Sequence, residues 1–265
     1  SVTHSTCIEL GTAVVPQEAQ HPIALARQAL SVHAVSNGRL ALGVGPSHHW
    51  IIRDMLGLPY DKPAAYTRDY LQVFNAAISG PGPVDVENDT FTVHNPTALG
   101  AATPMPVLVA ALGPVMLQIA GEHADGTSLW MADEKAIGEH IAPKINKAAA
   151  EVGKPAPRIV AGIPVTLCAN SEIGEAKDRA NRILAEAETS PNYQRLLDRG
   201  DARTVGDLCA AGDQESILKR FKAFADAGVT DLSVRLLPIG DTRDELIASK
   251  YRTREVIAEL AEQVS

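Results

Sequence analysis

The stretch VLVAALGPVMLQIAGEHADGTSLW, residues 107–130, runs from a short apolar segment through Ala-Ala-Leu-Gly-Pro into helical spacing, then out into a second apolar segment. A buried strand, a helix opening at Pro114 and another buried strand make one βαβ step, and that step calls for a parallel sheet. Small residues and a glycine at the strand-to-helix handover have two physical explanations. Small side chains let a helix pack close to a sheet. Alternatively, an anion rests on the helix N-terminus, where the first N–H groups lack internal partners and the dipole favours negative charge. Pro114 suits the first helical position, because the N–H it lacks would be unpaired anyway. Packing does not require the Gly-Pro order, whereas glycine at 113 removes the side chain that would keep a phosphate out. The phosphate explanation is therefore preferred.

Outward from this step the same alternation covers the chain. Strands are predicted at 7–15, 40–44, 107–111, 127–130, 159–168 and 231–236. Most are short, predominantly apolar runs, as expected of strands covered on both faces. Helical spacing follows most of them. In HPIALARQALSVHAVSNGR, Pro22 suits the first turn, Ile23, Ala26, Leu30 and Ala34 are read as one face, and Asn37-Gly38 stops the helix. Further helices are predicted over 65–79, from Pro114 to about Glu122, across Ile137, Ile141 and Ile145 with a kink at Pro143, and over 171–189. Asp213 caps another that stops at Gly228, and a last one begins at Thr242 with Glu245 completing a capping box. VDVENDTFTV, 84–93, is a hairpin turning near Glu87-Asn88-Asp89, and 190–212 is read as a polar linking region. Six βα units and a terminal helix suit an open doubly wound sheet, or a (β/α)8 barrel short of two units.

The composition is that of an ordinary globular protein, 45% hydrophobic and 21% charged over 265 residues. A formal charge of −8 argues against nucleic-acid and anionic-membrane partners, which need a basic face. No apolar run is long enough to span a bilayer, and SVTHSTCIEL lacks the regions of a signal peptide. Cys7, Cys168 and Cys209 are far apart and read as buried, reduced thiols of a cytoplasmic protein. No Cys/His spacing suggests a metal site.

Taken in order, IELGTAVVP, HPIALARQALSVHAVSNGRLALGVG, VLVAALGPVMLQIAGEHADG and GDQESILKRFKAFADAGVTDLSVRLLP resemble the luciferase-like monooxygenases. The resemblance is closest to the branch that uses the deazaflavin coenzyme F420, and it covers essentially the whole chain. It implies a TIM barrel in which the first strand here corresponds to the family's third, so that two N-terminal βα units are missing from this sequence. It also implies a cofactor at the C-terminal ends of the strands. Gly11-Thr12-Ala13-Val14 matches a bulge, often with a non-proline cis peptide, that supports the cofactor ring from behind; Ala13 and Val14 are its contact residues. Gly45, in Gly43-Val44-Gly45-Pro46-Ser47-His48, matches a close backbone approach to the ring. Ala110, Ala111, Leu112 and Gly113 match the loop whose amides bind the cofactor phosphate.

Relatives that oxidise glucose 6-phosphate carry a glutamate, acting as acid or base, where this chain has His48. Histidine still moves protons near neutral pH, so His48 is the catalytic candidate, while that sugar-phosphate activity does not carry over. His49 is expected to point elsewhere on an extended segment, which disfavours a two-histidine metal site. Three functions follow. The first is hydride transfer between F420 and a small organic substrate. The second is an FMN-dependent monooxygenase on the same scaffold. The third is a non-catalytic flavin-binding barrel, given weight by an active-site histidine that relatives place on a strand outside this sequence. The resemblance further implies a homodimer. Substrate identity rests with the insertions at 46–64 and 190–212, where Trp50 and Tyr60 either line a pocket or pack their own loop.

Overall fold

The computed structural model describes residues 7–80, 82–96, 99, 103–184 and 191–264. The elements along the chain are β1 (Leu10–Gly11), β2 (Val15–Pro16), α1 (Pro22–Val35), β3 (Leu40–Gly45), α2 (Pro63–Ile78), β4 (Val84–Glu87), β5 (Thr92–Asn95), β6 (Val107–Val109), α3 (Pro114–His123) and β7 (Gly126–Trp130). There follow α4 (Glu134–Ala136), α5 (Ala142–Glu151), β8 (Arg158–Leu167), α6 (Ile173–Leu184), α7 (Pro191–Leu197), β9 (Ala210–Gly212), α8 (Gln214–Asp226), β10 (Asp231–Leu236) and α9 (Arg243–Val264). The chain divides into two compact units, Ser1–Ser128 with Ile145–Pro157, and Leu129–Lys144 with Arg158–Ser265.

In the first unit β3 is the central strand, buried at all six positions. β1 and β2 pair with it in parallel on one side (Leu10↔Leu40, Val15↔Val44), and β6 on the other (Leu42↔Val107). β7 then extends β6 through Leu108↔Gly126. β4 and β5 form the predicted antiparallel hairpin, closed by the Asn88 N–H on the Phe91 carbonyl at 2.9 Å. α1 opens with Pro22 in its first turn and stops at Asn37 and Gly38, whose φ angles of 55° and 78° suit those residue types. Its buried face differs from the one read in the sequence. Pro22, Leu25, Ala26, Ala29 and His33 are buried, Ile23 and Leu30 are half-buried, and Ala34 is exposed. Nearly every position of this helix is apolar or small, so periodicity alone does not select the inward stripe.

In the second unit β8 pairs in parallel with β10, from Asp231↔Val160 to Leu236↔Val165, and with β9 from Val165↔Ala210 to Leu167↔Gly212. Arg158 locks the start of the β8–β10 ladder with two hydrogen bonds to Asp231, of 2.7 and 3.2 Å. Ahead of Pro143, where a kink is predicted, the helix changes its winding. Ile137–Ile141 winds as a π-helix, with the Ala142 N–H on the Ile137 carbonyl, just ahead of the residue that has no N–H to give. Asp213 caps α8 by accepting from the Ser216 N–H at 2.9 Å, and Gly228 (φ 99°) ends it. At α9 the Glu245 carboxylate accepts the Thr242 N–H at 2.9 Å, and the Thr242 hydroxyl accepts the Glu245 N–H at 3.3 Å.

The region 190–212 is not a linker. From residue 191 it holds α7, a 3-10 turn at Val205–Leu208 and strand β9, and it buries Leu196, Val205, Leu208 and Cys209. Residues 185–190, the end of one predicted helix and the start of that region, lie outside the described residues. The cysteines also differ from expectation, since Cys7 is exposed, Cys168 half-buried and Cys209 alone fully buried. No helix among the described residues is long and apolar enough to cross a membrane.

Candidate cofactor and active site

The first strand read in the sequence is broken in the middle, and the break builds the site. Between the pairs Gly11↔Ala41 and Val15↔Val44, three residues (Thr12, Ala13, Val14) face two (Leu42, Gly43). One extra residue on one strand is a β-bulge. The Thr12 hydroxyl stands in for the interrupted ladder, accepting from the Gly43 N–H at 2.9 Å and donating to the Gly43 carbonyl at 2.8 Å. The Ala13–Val14 peptide is cis. A Cβ on Gly43 would lie 2.1 Å from the Thr12 carbonyl oxygen, so only glycine fits opposite the bulge. One residue pair further on, a Cβ on Gly45 would meet Ala110 Cβ at 2.8 Å and Val14 Cγ2 at 3.0 Å. Val14, Gly45 and Ala110 thus meet at the C-terminal ends of three neighbouring strands, and the crowding at Gly45 comes from the protein itself.

The loop from β6 to α3 behaves differently. Gly113 is the N-cap of α3 at φ −86°, with no side chain capping the helix. A Cβ there would meet nothing within 4 Å, and Gly113, Pro114 and Val115 are all exposed. The N–H groups of Val115 and Met116, in the first turn, have no intrahelical partner. The helix that does need a glycine for packing needs it elsewhere: a Cβ on Gly121 would lie 2.7 Å from Ala148 Cβ and from the Ile145 carbonyl of α5. Of the four residues matched to the phosphate loop, Ala110 is corrected as an amide donor. Its N–H is spent on the Val44 carbonyl at 2.9 Å, because the β3–β6 ladder continues to that point. Ala111 is buried, while Leu112 is half-buried beside exposed Gly113.

His48 follows Ser47, which adopts a left-handed conformation (φ 55°) and has its carbonyl held by the Tyr60 hydroxyl at 3.1 Å. The segment at 48–49 is not extended as expected. The His48 carbonyl accepts from the Ile51 and Ile52 N–H groups, both at 3.0 Å, and so opens a helical turn. Both imidazoles consequently reach Trp50, His48 stacked at 4.2 Å between ring centroids and His49 edge-on at 5.2 Å. Burial holds the His48 imidazole below its ordinary pKa, with the neighbouring His49 adding to the effect. His48 is therefore biased toward the neutral ring, which both accepts and donates a hydrogen bond. Trp50 packs its own loop, and Tyr60 both pins Ser47 and lines a cavity.

That cavity holds a residue the sequence reading missed. Glu18 lies in the 3-10 turn Gln17–Ala19 directly after β2, in a cavity of about 130 Å³ walled by Leu58, Pro63 and the rings of Tyr60 and Tyr66. Both its carboxylate oxygens are buried without a hydrogen-bond partner among the described residues. Burial pushes its pKa up to about 7, outweighing the weaker pulls of its own main-chain N–H and the Gln17 amide, neither of which reaches hydrogen-bonding geometry. A glutamate in a short polar turn carries no sequence signal of burial, and only the fold of residues 58–66 over it makes the environment.

A bulge, two crowded glycines and an uncapped helix start thus lie at strand ends of a parallel α/β sheet, the end where such folds place their ligand sites. The profile of the luciferase-like monooxygenases matches residues 3–231, and the chain belongs to that family. The chain is 24% identical to the 5,10-methylenetetrahydromethanopterin reductase of Methanopyrus kandleri, over 91% of this chain and 80% of that one. Two solved structures share its fold. An F420-dependent secondary alcohol dehydrogenase in complex with an F420-acetone adduct superposes with a TM-score of 0.75 at 16% identity, covering 96% of this chain and 81% of that one. A riboflavin lyase with modified FMN superposes at 0.69 and 13% identity, covering 97% and 72%.

Proposed function

We propose that this chain is an oxidoreductase that transfers hydride between coenzyme F420 and a small organic substrate, within the family's TIM-barrel architecture. The observation that carries the reading is the open, uncapped start of α3 beside the bulge. No side chain caps the first turn, and a Cβ on Gly113 would meet nothing within 4 Å among the described residues, which leaves room for a phosphate there. The N–H groups of Gly113, Val115 and Met116 bind the phosphate, helped by the helix dipole. Ala13 and Val14 back the ring, and the packed triad of Val14, Gly45 and Ala110 keeps that support rigid. When bound, F420 supplies the hydride chemistry. His48, neutral and held against Trp50, exchanges a proton with the substrate. The leaning to F420 over FMN rests on solved neighbours described as F420-dependent, the secondary alcohol dehydrogenase and the tetrahydromethanopterin reductase of Methanopyrus kandleri.

The second reading, an FMN-dependent monooxygenase, is favoured by the family match and by the FMN-containing neighbour. Fluorescence titration of the purified protein with F420 and, separately, FMN tells them apart. Tighter binding of F420 by about tenfold or more supports the first reading and the reverse supports the second; binding of neither rejects both.

A further inference from the structure

The turn after β2 gathers hydrogen-bond acceptors that meet no donor at hydrogen-bonding geometry among the described residues. Buried side-chain oxygens without a partner occur on Gln17, Glu18 and Gln20, with both carboxylate oxygens of Glu18 among them. The Gln17 amide is not simply misoriented. The Thr67 hydroxyl donates to the Pro63 carbonyl at 2.8 Å, so it must accept from Gln17 Nε2 at 2.6 Å, and this turns Gln17 Oε1 away as an acceptor. Among the described residues the cavity beside Glu18 has no lysine or arginine in its lining; its charged residues are Glu18 and Asp61. Tyr60 and Tyr66 line it, and aromatic rings attract cations over their faces. A buried carboxylate without a partner is costly and is normally retained where something else supplies the partner. The cavity is tied to the strand-end site, because the Tyr60 hydroxyl holds the carbonyl of Ser47, the residue before His48.

We propose that the Glu18 pocket receives a positively charged nitrogen, an alkylammonium group, of the substrate handled at the strand-end site. Only the word substrate rests on the oxidoreductase reading; the capture of a cation stands on the pocket alone. The rival occupant is a neutral hydrogen-bond acceptor such as a carbonyl, held by the protonated acid. With the carboxyl titrating near 7, the two occupants give opposite pH dependences. The other titratable groups facing it are Asp61 and the phenols of Tyr60, Tyr66 and Tyr70. All three phenols are pushed up mainly by burial, with the charge of Glu18 contributing.

The test uses the whole chain without any cofactor, titrated with n-butylammonium and with n-butanol from pH 5 to 9 and followed by ligand-observed NMR. Butylammonium is expected to bind about tenfold or more tightly than butanol at pH 8, and to weaken by up to about tenfold per pH unit below pH 7. The preference is expected to vanish in Glu18→Gln, a change that keeps the shape of the side chain. Equal binding of the two compounds, binding of neither, tighter binding of butanol at low pH, or a preference that survives Glu18→Gln would overturn the proposal. The wild-type pH series decides the matter even if the variant folds poorly. Failure of the F420 and FMN titrations would remove the oxidoreductase reading and leave this result untouched.

Discussion

The end of β3 and the start of α3 both carry glycine, for opposite reasons. At Gly43 and Gly45 the missing Cβ makes room for the protein's own atoms, the Thr12 carbonyl in one case and Ala110 with Val14 in the other. At Gly113 the missing Cβ makes room for nothing in the chain. The question raised by residues 107–130 therefore has two answers, distributed over two glycines. Gly121 lets α3 lie against α5, and Gly113 leaves the helix start open. A glycine whose space is filled serves the fold. One whose space is empty, at an uncapped helix N-terminus, fits a site for an anion.

The largest effect expected from this contrast is on Gly113→Asp. Two unit charges about 4 Å apart repel by roughly 4 kcal/mol at an effective dielectric near 20, about three decades in affinity for a phosphate-bearing cofactor. Stability should move the other way. The residue is the N-cap at an ordinary extended conformation, where aspartate accepts from the first-turn N–H groups, a gain of roughly 0.5 kcal/mol. The measurements are melting temperature and cofactor titration on the same preparation. A variant that melts far below wild type, yet binds F420 and FMN as wild type does, would mean that Gly113 serves packing after all.

Next comes Gly43→Ala, the same kind of change at the crowded end. A methyl 2.1 Å from a backbone oxygen cannot be relieved by turning a side chain, so the bulge or the strand must shift. A loss of about 3 kcal/mol is expected, at the upper end of overpacking costs. Denaturant unfolding with an unchanged midpoint would break the comparison from the other side.

Much of this architecture was legible in the sequence because buried parallel strands announce themselves. LALGVG is apolar from end to end and RIVAGIPVTL from Ile159 to Val165, and the Asp213 and Thr242–Glu245 caps sit where their spacing puts them. β9 was missed because three small residues in polar surroundings carry little signal, although Thr204 and Asp207 do form a capping box just before it. The bulge was visible only through family resemblance, since a change of register is not a property of one strand's composition. Glu18 was invisible because its burial is made by residues some forty positions away in the chain.

Glu18 supplies the next prediction. Its pKa rises from 4.5 unfolded to about 7 folded, so the folded state holds the proton more tightly. Stability contributed by this group is fully present below about pH 4.5, and falls as pH rises through about 7. The full shift would correspond to roughly 3 kcal/mol, but the residue is only partly buried, and about 1 to 2 kcal/mol is a fairer figure after solvent screening. Glu18→Gln should therefore stabilise the protein by that amount at pH 8 and change little at pH 4.5. Chemical denaturation at the two pH values checks this, and a variant equally destabilised at both would show the carboxylate to be a satisfied structural group.

The smallest expected effect is the most discriminating. Gly113→Ala adds one methyl group into space where nothing lies within 4 Å, at a backbone conformation (φ −86°) that alanine adopts freely. The remaining cost is that alanine is a poorer N-cap than glycine, roughly 0.5 kcal/mol. Gly45→Ala adds the same methyl group against Ala110 and Val14, where about 1 to 2 kcal/mol of overpacking is expected. Both changes leave the net charge alone, so the difference between them isolates space. If Gly113→Ala costs as much as Gly45→Ala in thermal unfolding, the cradle at the start of α3 is closed in solution, and the contrast between the two strand ends disappears. If it costs little and weakens the cofactor by no more than a few-fold, then the loss in Gly113→Asp is due to charge rather than bulk, as an anion seated on backbone amides requires.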